Sequence, residues 1–292
     1  IDGSPAAKAG ILSKDKILEI DGKSTKGMDI NAAVKLIRGP VGTQVILTLQ
    51  RGDRTISYTL ERARIELHPV SFSDRPKDGA APIGYIRLTQ FSANAATEMR
   101  DAIQKLESQN VSGYVMDLRS NPGGLLYASI DIARMWLNDG AIVSTVDRNG
   151  ETDRQQANRT ALTTKPLVVL VDGGSASASE ILSGALQDNK RAVLIGTKTF
   201  GKGLVQSVRN LGDGSGMAVT VAKYLTPSGR DINKHGIDPD IKVELTDKER
   251  EFLSENRDKI GTLEDAQYAK ALEVLQAEIA KTSSGTRAAA PQ

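Results

Sequence analysis

Cysteine is absent from the 292 residues. That excludes disulfides, cysteine-ligated zinc, iron–sulfur clusters and a thiol nucleophile. Histidine is scarce: His68 and His235 lie far apart and no HExxH pattern occurs, which argues against a histidine-built metal site. Neither sign of charge is in excess. Lys plus Arg is 38 against 36 Asp plus Glu, a formal +2, without the basic surplus of a broad nucleic-acid-binding surface. No apolar run nears the roughly 20 residues that cross a bilayer as a helix. What remains, 39% apolar and 25% charged, is ordinary for a globular chain, and a chain this long usually divides into domains. The sequence opens at Ile1 inside what reads as a folded segment, with no leader in view.

Three stretches differ in pattern. The first, 1–63, reads as a small β-rich unit. Ser4, Pro5 and Gly10 mark a short helix by cap, first-turn proline and glycine stop. Asp21-Gly22 is a hairpin turn after Ile17–Ile20. Asp29 opens a helix in which Ile30, Ala33, Val34 and Ile37 recur at helical spacing. Gln44–Leu49 and Thr55–Leu60 pair as strands across Arg51-Gly52-Asp53. Residues 64–82 hold three prolines and many polar residues and read as a linker or loose loop. The second stretch, 64–243, alternates strands and helices, with Gly113–Leu118, Pro166–Val171 and Ala192–Gly196 as buried strands; that predicts an α/β-type core and an α+β protein as a whole. The third, 244–292, is charged and helical, with Thr262 as an expected cap and a small, polar, unstructured end from Lys281.

Chemistry is expected at the strand-to-helix turns. Gly173-Gly174-Ser175-Ala176-Ser177-Ala178-Ser179-Glu180 follows the most apolar strand and opens a helix. A serine there can present its hydroxyl beside free N–H groups and the positive helix end, which suits a nucleophile whose transition state carries an oxyanion. The commoner use of such a serine is as an N-cap. Neither histidine is well placed as a base, but a lysine serves when burial keeps it neutral. Lys202 stands between two glycines in Thr199-Phe200-Gly201-Lys202-Gly203, with Gln206 four residues on to orient its amine. The neighbours Phe200, Leu204 and Val205 predict apolar surroundings for it. The same segment matches seven positions of a P-loop, but the eighth is Gly203 and a strand follows where a helix is required, so nucleotide binding is not expected. Asp117-Leu118-Arg119-Ser120-Asn121-Pro122-Gly123-Gly124 is a third segment between strand and helix; its glycine N–H groups can serve an oxyanion, but taken alone it reads as a simple turn.

Together these three motifs, preceded by a PDZ-like module, resemble the carboxyl-terminal processing proteases, also called tail-specific proteases, over about residues 1–243. The resemblance implies a serine–lysine peptidase core similar to the crotonase fold. It selects Ser177 as nucleophile and Lys202 as base, 202 − 177 = 25 residues apart, the family's spacing. Gln206 matches the lysine-orienting glutamine, and the backbone N–H groups of Gly123 and Ala178 match the oxyanion hole. Composition and spacing alone leave Ser175, Ser177 and Ser179 open.

The resemblance further implies an endopeptidase that recognises the C-terminal tail of a protein and cuts upstream of it, with no metal or cofactor and neither nucleotide nor nucleic acid as partner. Ile30, Val34 and Ile37 are the expected peptide-binding wall of the PDZ-like groove. In the family the carboxylate-binding loop precedes the Ile-Asp-Gly-Ser-Pro-Ala segment, here at residue 1, so the chain is expected to lack the N-terminal part of that module; any membrane association is expected through that part only. The family is exported, to the bacterial periplasm or the thylakoid lumen, and the sequence looks most like the photosynthetic branch. The alternative is an inactive, PDZ-bearing peptide-binding or scaffold protein.

Overall fold

The computed structural model describes residues 3–12, 14–65, 68–77, 80–212 and 215–288. The chain divides into two units, 1–67 and 68–292.

In the first unit, α1 (Pro5–Lys8) is capped by Ser4, whose Oγ accepts the Ala7 N–H at 3.2 Å. Strands β1 (Lys16–Ile20) and β2 (Lys23–Ser24) meet at Asp21 and Gly22, whose φ values of 50° and 74° are the left-handed pair a tight hairpin needs. Helix α2 (Ile30–Ile37) is capped by Asp29, which accepts the N–H groups of Asn31 and Ala32. Strands β3 (Gln44–Arg51) and β4 (Arg54–Glu61) complete an antiparallel sheet of order β2-β1-β3-β4. Alternation in β3 sends Val45, Leu47 and Leu49 inward to join Ile20 and Leu60. On α2, Ala33, Leu36 and Ile37 pack on that core, whereas Ile30 and Val34 are exposed.

The second unit holds β5 (Val70–Lys77), β6 (Ala80–Leu88), α3 (Ala95–Ser108), β7 (Tyr114–Asp117), α4 (Leu126–Trp136), β8 (Ala141–Asp147), β9 (Gly150–Gln156), β10 (Leu167–Val171), α5 (Ala178–Asp188), β11 (Val193–Gly196), β12 (Leu204–Asn210), β13 (Gly216–Leu225) and β14 (Ile241–Lys242). After it come α6 (Asp247–Glu255), a 3₁₀ turn at Arg257–Lys259 and α7 (Ala266–Ala288). The six-stranded sheet has the order β14-β11-β10-β7-β6-β5, parallel except for β5. Its strands are apolar on both faces, as strands covered on both sides are. Leu167, Val169 and Val171 join the cluster built with α3, α4 and α5; Val168 and Leu170 join Tyr268, Ala271, Leu272 and Leu275 of α7. A second, antiparallel sheet has the order β12-β13-β8-β9.

Three expectations are corrected. Residues 64–82, read as a loose loop, contain β5 and the start of β6; β5 is the sheet's edge, and its register shifts between Arg75 and Lys77, around Pro76, which is where a strand tolerates proline. Residues 66, 67, 78 and 79 of that stretch lie outside the described residues. The cap of α7 is not Thr262 but Asp265, whose Oδ1 accepts the N–H groups of Gln267 and Tyr268. The helix continues to Ala288 where an unstructured end is expected from Lys281; residues 289–292 lie outside the described residues.

The topology gathers the motifs. β7, β10 and β11 are neighbours in one parallel sheet, so the loops leaving their C-terminal ends emerge side by side, the usual place for a site in such sheets. Those loops are 118–124, 172–177 and 197–203.

Candidate active site

The three serines of the 173–180 segment have different surroundings. Ser175 is fully buried; its Oγ donates to the Leu118 carbonyl at 2.8 Å and accepts the Asp172 N–H at 3.0 Å. Ser179, also buried, donates from Oγ to the Asn121 carbonyl at 2.9 Å. Ser177 is only half-buried. It stands at the N-cap of α5 with φ 55° and ψ −113°. A serine that only caps takes an extended backbone; this one is held in a sparsely populated region at a cost of about 1–3 kcal/mol. A sharp turn of this kind projects a side chain out of the surrounding backbone.

Glu180 holds that turn. Its carboxylate is fully buried and accepts four hydrogen bonds. Oε2 takes the N–H groups of Ser177 and Lys202, both at 2.8 Å. Oε1 takes the Gly201 N–H at 2.7 Å and the Thr199 hydroxyl at 2.6 Å. One side chain therefore ties the backbone of Ser177 to that of Lys202. In the sequence this role shows only as a serine and a glutamate, Ser177 and Glu180, at the spacing of a capping box.

The loop of Lys202 is pressed backbone to backbone against 232–236. A Cβ at Gly203 would lie 2.3 Å from the Asn233 nitrogen, so only glycine fits. Because the 199–203 backbone is turned inward, the Phe200 and Lys202 side chains lie outside: Phe200 is 67% exposed and Lys202 is exposed. The apolar surroundings expected for Lys202 are therefore not present. Among the described residues its Nζ has no hydrogen-bond or ion-pair partner. Gln206 sits in β12 opposite Thr220, exposed, next to a register shift after Val205; no hydrogen bond joins it to Lys202.

The 118–124 loop closes on the Ser177 turn. Asp172 Oδ1 accepts the N–H groups of Ser120 and Gly174 at 2.8 and 2.9 Å, and the Asn121 carbonyl accepts the Ala176 N–H at 3.0 Å. At Gly123 a Cβ would lie 2.9 Å from both the Ser177 Cβ and the Ala178 nitrogen, so its backbone abuts the Ser177 turn. The Ala178 N–H has no acceptor among the described residues. The Gly123 N–H is engaged: it donates to Asn121 Oδ1 at 2.9 Å, while Asn121 Nδ2 donates to the Leu88 carbonyl. At the root of the loop Asp117 and Arg119 pair at 2.6 Å. Burial alone would raise the Asp117 pKa, but the Arg119 guanidinium outweighs it and holds the carboxyl below its ordinary value.

Ile30, Val34 and Ile37, expected together on a groove wall, divide. Ile30 is 75% exposed and Val34 is 38% exposed. Ile37 packs on the core and lines a cavity of about 420 Å³ with α1 and the end of β4.

Residues 82–243 match peptidase family S41, and residues 1–51 match a PDZ domain. The chain is 49% identical over 280 residues to the carboxyl-terminal-processing protease of Synechocystis sp., covering 95% of this chain and 64% of that protein. It is 44% identical over 249 residues to the carboxy-terminal processing protease CtpA of Bacillus subtilis, covering 85% and 53%. The solved structure of a photosystem II D1 C-terminal processing protease aligns with a TM-score of 0.58 at 40% identity, over 83% of this chain and 66% of that one. The chain thus spans a little under two thirds of the length of the Synechocystis relative. The match to residues 82–243, more than half of the chain, and these relatives establish that the chain belongs to peptidase family S41 and carries a PDZ domain ahead of its peptidase segment.

Proposed function

We propose that this protein is a serine endopeptidase that cleaves proteins near their C-terminal tails in an exported compartment, the periplasm or the thylakoid lumen. One observation carries the catalytic part: of three adjacent serines, Ser175 and Ser179 are buried and spent on structural hydrogen bonds, while Ser177 is accessible on a strained turn beside the unpartnered Ala178 N–H. In this reading Ser177 Oγ attacks the scissile carbonyl carbon and its proton passes to Lys202 Nζ. The carbonyl oxygen, now an oxyanion, takes hydrogen bonds from Ala178 N–H and from Gly123 N–H, which has to share or leave its bond to Asn121. The tetrahedral intermediate collapses, the carbon–nitrogen bond breaks, and Lys202 returns the proton to the leaving amine. Water then hydrolyses the acyl-enzyme by the same proton path. Gln206 orients Lys202 when a bound peptide covers the exposed rim of Phe200 and Lys202 and excludes water there. The C-terminal tail is taken up by the PDZ domain along the exposed Ile30 and Val34 side of α2. The named relatives support this substrate class, since they are carboxyl-terminal processing proteases by name.

Labelling with a fluorophosphonate probe, mapped by mass spectrometry, tests the reading. The label is expected on Ser177, to be lost in Ser177→Ala, and to persist in Ser175→Ala and Ser179→Ala. Lys202→Arg should be nearly unreactive, because guanidinium keeps its proton. A label that survives in Ser177→Ala, or parent-rate cleavage of a tailed protein by Lys202→Arg, overturns it.

A further inference from the structure

The matched peptidase segment ends at residue 243, yet a buried ion cluster at the root of the 118–124 loop is completed from beyond it. Arg119 is 7% exposed and spends all five guanidinium N–H groups. Nε and Nη2 donate to the two Asp117 oxygens at 2.9 and 2.6 Å. Nη1 and Nη2 donate to the two Asp265 oxygens at 3.0 and 2.7 Å. The second Nη1 hydrogen goes to Gln267 Oε1 at 2.9 Å. Asp265 and Gln267 are themselves fixed: Asp265 is fully buried and caps α7, and Gln267 Nε2 donates to the Val243 carbonyl at 2.8 Å. Tyr85 closes the other side, donating to Asp117 at 2.7 Å.

A guanidinium with every donor committed, forked on both sides, has one allowed position. Arg119 lies two residues before Asn121, and Asn121 accepts from Ala176 and Ser179 through its carbonyl and from Gly123 through Oδ1. A displacement of Arg119 is therefore passed to the loop that abuts Ser177. We propose that Asp265 and Gln267 are positioning residues for the oxyanion loop, acting through Arg119, so that the start of α7 is a working part of the catalytic centre. The catalytic consequence rests on the peptidase reading above; the bracing of the loop does not.

Two readouts on the full chain separate these. Hydrogen exchange by mass spectrometry follows the peptides over 118–126, and fluorophosphonate labelling follows Ser177. Asp265→Asn keeps shape but replaces one acceptor by donors facing Arg119; Gln267→Leu removes a single acceptor and is the milder variant. Glu273→Gln, on the exposed side of α7, is the control. The expected result is faster exchange confined to 118–126 and 261–268 in both variants. Labelling should slow about tenfold in Asp265→Asn and less in Gln267→Leu, short of the roughly 100-fold or more that loss of an oxyanion donor itself brings. Unchanged exchange over 118–126 in both variants overturns the proposal, as does exchange that rises evenly over the six-stranded sheet, which marks a general stabilising role. Exchange confined to the loop with labelling at the parent rate overturns the catalytic part. If the parent protein itself takes no label at Ser177, the peptidase reading fails, and the exchange result still decides whether α7 braces the loop.

Discussion

The two units of this chain treat polar groups in opposite ways. In the PDZ unit the described core is apolar, built on Ile20, Val45, Leu47, Leu49 and Leu60, and Ser4 is the buried polar residue. In the peptidase unit Asp117, Arg119, Asn121, Ser175, Ser179, Glu180, Thr199, Asp265 and Gln267 are all buried. Buried polar groups are costly unless paired, and here they are paired across loops that leave adjacent parallel strands. Both units leave some apolar side chains in solvent; in the PDZ unit they include Ile30 and Val34 of α2. On the proposed function, the α2 face meets protein tails, which takes unpartnered apolar area, and the loop cluster positions a reacting atom, which takes locked loops. The difference is written in where each unit spends its hydrogen bonds.

The comparison breaks most sharply at the helix caps. Glu180 and Asp29 are both carboxylates at the start of a helix. Glu180 accepts from four groups on two loops, whereas Asp29 is exposed and accepts only from its own first turn. Glu180→Ala leaves buried donors unsatisfied, at about 1–3 kcal/mol for each that finds no water, and frees the Ser177 and Lys202 backbones from each other. It should destabilise the peptidase unit by several kcal/mol on that basis and reduce probe labelling of Ser177 by about 100-fold or more. Asp29→Ala should cost the PDZ unit about 1 kcal/mol and leave labelling unaltered. Trp136, the single tryptophan and buried in the peptidase core, reports the first in urea by fluorescence; hydrogen exchange of the β3–β4 amides reports the second. Equal losses in both units would mean that Glu180 is an ordinary cap.

Acid should separate the units next. Asp117 has a folded pKa below its ordinary value, so its stabilisation is full above the unfolded value of about 3.9 and is lost as pH falls below it. Asp15 is held down to about 2 by its hydrogen bond to Arg51. Both pairs therefore weaken toward low pH, in the same direction. Both carboxylates are nearly covered, and the pairs differ at the arginine, whose side chain is 34% exposed in Arg51 and 8% in Arg119. Added salt at about 0.5 M, where the Debye length is well under 10 Å, should blunt the acid sensitivity of the PDZ unit and leave that of the peptidase unit. Asp117→Asn should flatten the dependence of the Trp136 urea midpoint on pH below about 4. A midpoint that still falls as steeply in this variant would place the acid-sensitive group elsewhere.

How much of this was legible in the sequence follows from range. Hairpin turns, helix caps such as Ser4 and Asp29, and the alternation of apolar strands with helices are local signals, and the structure follows them. So do the strand after Lys202, which removes the P-loop reading, and the tight approach permitted by Gly203. Glu180 was legible as half of a capping box, but its bonds to Gly201 and Lys202 span about twenty residues and leave no local trace. Asp265 and Arg119 are 146 residues apart, beyond any spacing argument, and only the shared sheet explains their meeting. β5 was hidden by Pro76 because an edge strand with a register shift does not need the alternation and unbroken N–H series that mark central strands. The exposure of Lys202 was misread because neighbouring apolar residues in sequence need not face a side chain whose backbone is turned inward.

The smallest expected effect tests the PDZ side of the comparison directly. Ile30 and Val34 are one helical turn apart and both exposed, while Ala33, Leu36 and Ile37 of the same helix pack inward. An aspartate in place of Val34 can keep its carboxylate in water, so no charge is buried. Its helix propensity is close to that of valine, but position 34 opens the last turn of this eight-residue helix, where the dipole disfavours an exposed anion by about 0.3–1 kcal/mol. Val34→Asp should therefore lower the stability of the PDZ unit by no more than about 1 kcal/mol, read as less than a tenfold change in hydrogen exchange of the β3–β4 amides. If the outer side of α2 receives tail side chains as proposed, tail peptides should nonetheless bind more weakly, because that apolar strip then carries a charge. A tenfold rise in β3–β4 exchange, about 1.4 kcal/mol, would show instead that Val34 supports the fold of its own unit. The outer side of α2 would then be packing surface, and the contrast between a locked catalytic unit and an open binding unit would lose its second half.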